Sequence, residues 1–386
     1  MDEEGLISIV HNDGAKSAPR MGVFARIKNN LVYDFSRRNF MNMWRDVPMT
    51  IRFRCTNKCD EKCARCFECS GPNNPLTVLP ADDIAFYENA VPRLKSVYIS
   101  GGEWSLIYDT DPDYMLRIFD AINLQNADAY AVQTNCRWVF GPNSDKIYAD
   151  LQKIQDKLGA AGKVLKLDVS VDRFRSQAAL NGVRELICRI GADNNFQNTK
   201  IRIMSSRMDR YMANDTVLQP EYFDARGVKL RFEPRSIYSL FFQVFYVNDK
   251  RMVIHEENPT MRIGRAAQNK IGYKILDPEQ QCGGLAGEKF MELSFREDGT
   301  VKWHSYYDWN IITPYKDASG QHKSIEQIKQ ELLNLAWRKH LKQSLINNAW
   351  GIIPIIGIMR DKFRVRQMQE SYKKNQAAVT LYAREI

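Results

Sequence analysis

Histidine is scarce in this chain, with five in 386 residues, and no apolar run is long enough to cross a bilayer. The longest near the end, WGIIPIIGIM at 350–359, falls short of the roughly 20 residues that about 30 Å of hydrocarbon demands. The first ten residues, MDEEGLISIV, are acidic and hold no secretory apolar core. These absences argue against a membrane partner and lead to the expectation of a soluble cytoplasmic protein. No internal repeat and no low-complexity segment is visible, which excludes solenoid and fibrous classes. A zinc finger, an aromatic RNA-binding signature and a basic-region heptad are also missing. Nucleic acid is therefore not the expected partner, despite a net charge of +9.

Against that background the eight cysteines are unevenly placed. Five of them, Cys55, Cys59, Cys63, Cys66 and Cys69, lie in RCTNKCDEKCARCFEC, with three, three, two and two residues between neighbours; the others stand alone at 136, 188 and 282. A disulfide knot, a zinc site and an iron–sulfur site are each conceivable. Disulfide frameworks belong mostly to short secreted chains, whereas a chain of this length buries an ample core without staples. A structural zinc site usually takes two cysteine pairs across a longer spacer, often with histidine. An iron–sulfur cluster held entirely by protein needs four thiolates, and one held by three leaves an iron open to a ligand.

The composition, 44% hydrophobic and 26% charged, is that of an ordinary globular chain. Strand-like runs at 49–54, 96–100, 129–134, 164–171, 200–206 and 228–234 alternate with helical patterns, including 80–94, 111–125 and 143–162. Such alternation predicts βαβ crossovers and a parallel sheet. A closed eight-stranded barrel typically takes about 250 residues, so six strands suggest an open, partial one. In such barrels chemistry sits at the C-terminal strand ends, which is where the cysteine loop falls.

The triplet Cys59-x3-Cys63-x2-Cys66, preceded by Thr56-Asn57, resembles the signature of the radical S-adenosylmethionine (SAM) enzymes. So does Gly101-Gly102-Glu103 after the second strand, with Trp104 where proline often stands. VQTNC at 132–136 is similar to the family's TNG, with Cys136 in place of the glycine. LDVSVDRF at 167–174 is similar to its SxD motif. Arg65 occupies a position that is often aromatic.

The resemblance covers about residues 49–240. It implies an α/β fold built on a partial (β/α)6 TIM-like barrel, with a smaller C-terminal α+β extension. The domains would be an N-terminal extension at 1–48, the barrel at 49–240 and the extension at 241–386. It implies one [4Fe–4S] cluster on Cys59, Cys63 and Cys66. SAM would be held by Gly101, Gly102, Glu103, Thr134, Asn135, Ser170 and Asp172. The electron would come from a ferredoxin- or flavodoxin-like donor and cleave SAM to a 5′-deoxyadenosyl radical that abstracts hydrogen from a substrate C–H bond. Cys55 and Cys69 fall outside the triplet.

Beyond 240, GRA at 264–266, Cys282 and the hairpin signal Asp298–Gly299 with His304 resemble a cysteine-poor version of the tail of peptide-modifying members. One cysteine and one histidine cannot hold a second cluster. Residues 360–386 carry seven Lys or Arg against three acids, a net of +4, which suits an acidic leader peptide. The expected substrate is thus a ribosomally made peptide; the alternative is a small metabolite such as a sugar or amino acid. More remote is a cluster-bearing binding protein that does not cleave SAM.

Overall fold

The computed structural model describes residues 38, 41, 44, 47–64, 66, 68–206, 216–232, 242–258, 269, 291–303 and 311–351. Two units are distinguished, Asp46–Ala336 and Met1–Arg45 with Trp337–Ile386. In the second, the described residues are helical. The GRA segment, Cys282, His304, Arg65 and the basic stretch 360–386 lie outside the described residues.

The larger unit opens with β1 (Met49–Arg54), α1 (Ala81–Asn89), β2 (Leu94–Ser100), α2 (Tyr114–Ala121), β3 (Tyr130–Thr134), α3 (Ser144–Ala160), β4 (Leu165–Ser170), α4 (Gln177–Ala192) and β5 (Thr199–Ser206). Short α5 (Pro220–Asp224) and β6 (Leu230–Phe232) follow, then β7 (Phe242–Val247), β8 (Lys250–Asn258), β9 (Met291–Arg296), β10 (Thr300–Trp303), β11 (Ile312–Pro314) and α6 (Ile325–Gly351), whose residues from Trp337 onward belong to the other unit. All eleven strands belong to one sheet, ordered β11-β10-β9-β1-β2-β3-β4-β5-β8-β7-β6.

From β1 to β5 spatial order equals chain order, and every pairing is parallel. Right-handed crossovers that never reverse direction put their helices on the same side of a sheet. The register agrees with this. Ile51 pairs with Val97 and Leu293, Ile99 with Val132, and Val132 with Leu167, which pairs with Ile201. These side chains are buried. Helices cover this face: Tyr87 of α1 stacks on Phe295 with centroids 4.3 Å apart, and Phe119 of α2 meets Tyr130 edge-on at 6.3 Å. The alternate positions, Arg52, Tyr98, Gln133, Asp168, Arg202 and Ser294, point to the other face, because successive strand residues alternate.

One expected element needs correction. A sixth parallel strand is predicted at 228–234, but Leu230–Phe232 is an outer strand antiparallel to β7. The place beside β5 belongs to β8, which runs parallel to it. The cause is a two-residue hairpin between β7 and β8 at Asn248–Asp249, both with positive φ (49° and 61°). This is the conformation that Asn and Asp tolerate in primed turns. On the opposite flank the β9–β10 hairpin turns at Asp298–Gly299, where Gly299 has φ +80°. Its β9 runs parallel to β1 along six residues. The sheet therefore continues past residue 240 on both sides of the βα units.

Candidate functional site

The cysteine loop leaves β1 at its C-terminal end and is sewn to the end of β2. Cys55 N–H donates to Ser100 O at 2.8 Å, Gly102 N–H to Thr56 O at 2.7 Å, and Glu103 N–H to Lys58 O at 2.8 Å. A Cβ on Gly102 would stand 2.0 Å from Lys58 O, and one on Gly101 2.7 Å from Thr56 O. Gly101 also holds φ +149°, which other residues rarely adopt. The close approach that these glycines permit is that of the cysteine loop itself.

Acids between the cysteines fasten the loop to two further strand ends. Asp60 Oδ1 accepts from Asn135 Nδ2 at 2.6 Å, and Asp60 O accepts from Arg137 Nη1 at 2.7 Å. Glu61, buried, accepts from the backbone and hydroxyl of Ser176 and pairs with Arg137 at 3.4 Å. Ser176 in turn caps α4, accepting from Ala179 N–H. The C-x3-C spacer is thus bound to the start of α4 and to the end of β3.

Glu103 is 1% exposed. Its carboxylate accepts from Asn135 N–H at 2.7 Å, from the Thr134 hydroxyl at 3.0 Å and from Ser105 N–H at 3.4 Å. Burial, then the charge of Asp60, raises its pKa to about 7, against those hydrogen bonds. A cation at this carboxylate would relieve both causes. Asn135 also donates to Cys59 Sγ at 3.7 Å. Thr134 Oγ1 accepts from Cys136 N–H and from Trp138 Nε1. Cys136 keeps the left-handed backbone, φ 65°, that a glycine would favour at that position. Its carbonyl packs on Gly182, where a Cβ would meet it at 2.1 Å.

At the end of β4, Ser170 is half-buried and Asp172 is buried, with Asp172 Oδ1 accepting from Phe174 N–H at 2.8 Å. Arg175 Nε lies 3.7 Å from Asp172 Oδ2 and is a buried donor with no hydrogen-bond partner. Burial opposes its charge, but Cys63, Asp172, Cys59 and Cys66 together hold its pKa above the ordinary value. One guanidinium thus senses all three triplet cysteines. Burial pushes the Cys59 thiol up to about 12 and raises Cys63 as well. Both are 5–6% exposed.

The seven described cysteines are free, so the disulfide alternative does not describe them. Among the described residues no three Cys, His, Asp or Glu side chains converge on a single metal ion, as a mononuclear zinc site would require. The three thiols instead each act on the charge of Arg175, all raising its pKa. A soft, three-thiolate donor set with a counter-charge beside it fits an iron–sulfur cluster.

The geometry brings Cys59, Cys63, Gly101, Gly102, Glu103, Thr134, Asn135 and Asp172 into one connected region, with Cys66 in the same loop. Ser170 stands at the adjoining strand end without a link to that network. Sequence reasoning passed over Asp60, Glu61, Arg137, Arg175 and Ser176. No local signal marked the two acids of the cysteine spacer, since Ser176, the partner of Glu61, lies 115 residues away in sequence. Among the described residues no helix is long and apolar enough to cross a membrane.

No family model matches the sequence, and no curated protein matches it. Among solved structures, Streptococcus suis SuiB bound to S-adenosylmethionine aligns over 81% of this chain and 71% of its own, at 10% identity and TM-score 0.35. SuiB bound to the precursor peptide SuiA aligns over 85% and 72%, at 13% identity and TM-score 0.35. anSMEcpe with bound AdoMet and the Cp18Cys peptide aligns over 47% and 48%, at 13% identity and TM-score 0.29. Likeness this slight leaves the site to be read from its own geometry.

Proposed function

We infer that the chain is a radical SAM enzyme that binds one [4Fe–4S] cluster on Cys59, Cys63 and Cys66, with SAM beside it at the ends of β1–β4. The observation that carries this reading is the stitching of the C-x3-C-x2-C loop to Gly101-Gly102-Glu103 and to Thr134-Asn135 by the hydrogen bonds above. Three sequence-distant motifs meet at one set of strand ends, and one of them is the loop that carries the three thiols. The singly wound order β1 to β5 is that of a barrel wall, and a partial barrel is the shape proposed for it.

When bound, the cluster supplies the electron that cleaves SAM reductively and so allows hydrogen abstraction from a substrate C–H bond. The chain's own residues set the stage. Asn135 orients Cys59 through its Sγ, and Glu61 fixes the middle of the loop against α4. Arg175 supplies positive charge opposite the thiolates, offsetting their mutual repulsion. Glu103 offers a buried acceptor for an ammonium, and its charge-assisted hydrogen bond would contribute about 1.5–3 kcal/mol. Ser170 and Asp172, at the end of β4, are the proposed partners of the carboxylate and ribose hydroxyls. The buried surroundings keep water and stray hydrogen donors from the reacting centre.

The proposed substrate is a side chain of a ribosomally made peptide, with residues 360–386 attracting an acidic leader. The first test is anaerobic reconstitution followed by reduction with SAM. Iron and sulfide should be taken up and 5′-deoxyadenosine released, and Cys63→Ala should abolish both. Release without iron, or uptake unchanged in Cys63→Ala, would refute the assignment. For the peptide, removal of 360–386 should retain SAM cleavage and lose salt-sensitive peptide affinity.

A further inference from the structure

The face of the sheet opposite α1 and α2 is polar, and this is at odds with a packed barrel interior, which is filled by Val, Ile and Leu. Arg52 on β1 donates through Nε to Glu292 on β9 at 2.7 Å and through Nη1 to Gln133 on β3. Arg202 on β5 is bonded to Asp168 on β4 through both Nε and Nη2. The two guanidiniums stand 4.7 and 6.0 Å from the ring centroid of Tyr98 on β2. Apart from buried Asp168, these side chains are half-buried and keep some exposure on that side.

Two groups in this layer are short of partners, and both can donate. Ser294 pairs in register with Arg52; its side chain is 0% exposed and its Oγ has no hydrogen-bond partner. The Gln133 amide gives its oxygen to Arg52 but sends its Nε2 only to Met204 Sδ, at 3.9 Å. A thioether is a weak acceptor. A buried hydroxyl without a partner is destabilising, and a bound acceptor would offset that cost. The complement of a layer rich in donors, next to guanidiniums already aligned by carboxylates, is a group that only accepts, in a plane.

We propose that this face, centred on Arg52, Gln133 and Ser294, is the substrate floor and recognises a carboxylate on the substrate. The proposal rests on the radical SAM reading above for its role, but its test does not. N-acetyl-L-glutamate N-methylamide, its glutamine counterpart and free L-glutamate are titrated calorimetrically into the cluster-free full chain. The glutamate probe should bind about ten-fold or more tightly than the glutamine probe, a difference of about 1.4 kcal/mol or more. Free glutamate binding better than the blocked probe would assign the site to a small amino acid; the reverse would assign it to a side chain within a peptide. Either result supports carboxylate recognition.

Arg52→Gln should bring the two blocked probes within about two-fold of each other. Because Arg52→Gln breaks the ion pair with Glu292, Ser294→Ala is the second variant. Deleting an unpartnered hydroxyl should leave the thermal midpoint unchanged or higher, while affinity for the glutamate probe falls. Equal binding of the two blocked probes, or no saturable binding at up to about 10 mM, overturns the proposal. So does unchanged affinity in Ser294→Ala. Iron uptake and 5′-deoxyadenosine release are read separately, so failure of the radical SAM reading cannot be mistaken for failure of this one.

Discussion

Replacing Gly102 by alanine tests how the cysteine loop is held. The new Cβ would lie 2.0 Å from Lys58 O and 2.5 Å from Lys58 C, both backbone atoms that cannot rotate away. Overpacking of this kind costs about 1–3 kcal/mol. If the loop moves off, the bonds Gly102 N–H to Thr56 O and Glu103 N–H to Lys58 O are lost as well, at about 1 kcal/mol each. The sum is about 3–5 kcal/mol, or a fall of about 5–8 °C in thermal midpoint for a unit of this size. Because the strain enters between Thr56 and Cys59, iron uptake on anaerobic reconstitution should fall with it. Gly227→Ala is the control. Gly227 has a positive φ, +68°, and a Cβ there meets nothing within 4 Å. It should cost only the left-handed penalty of about 1–2 kcal/mol and leave iron uptake intact. Gly102→Ala with wild-type melting and wild-type iron uptake would refute the packing argument.

Alanine at Cys59, Cys63 or Cys66 should remove the charge-transfer absorbance of the reconstituted protein, while Cys55→Ala and Cys69→Ala should keep most of it; full absorbance in Cys63→Ala contradicts the triplet. Iron should number about four per chain, as one cluster requires, and a count near eight would reveal a second cluster. In cluster-free protein the Glu103 carboxyl, followed by 13C resonance, should titrate near 7 and not near its ordinary 4.5. Between those values the folded state keeps a proton that the unfolded state releases, so Glu103 lowers stability as pH rises through the window. A midpoint near 4.5 would show that the carboxyl is not buried as described. Glu61→Ala should release Ser176 and Arg137, at about 1.5–3 kcal/mol for each charged bond. Limited proteolysis should then cut within 60–66; an unchanged digestion pattern would show that the latch is idle.

The βα units and the cysteine triplet were legible because their signals are local. IRF, VYI and VLKLDV alternate or run apolar, and the spacing of three thiols needs no partner to be seen. The β8 strand was not, since Asn248–Asp249 lacks the glycine that usually announces a two-residue hairpin and sequence proximity favoured 228–234 as the sixth strand. The latch at Asp60 and Glu61 was hidden for another reason. A charge in a loop looks solvated until Ser176, 115 residues away, is brought to it. The polar face left a trace that went unread. Parallel strands buried on both sides run nearly continuously apolar, whereas Arg52-Phe53-Arg54 and Lys200-Ile201-Arg202-Ile203 alternate.

The parallel pairing of β1 with β9 ties together residues 240 apart, as in the Arg52–Glu292 bond. On a ribosome adding about 5–20 residues per second, that interval takes roughly 12–50 s. During it β1 has β2 on one side and a bare edge on the other. Arg54, 1% exposed once folded, still awaits Glu297. The thiol loop is therefore synthesised long before the flank beside it is sealed. A chain released before residue 291 would keep that edge free to pair with another molecule.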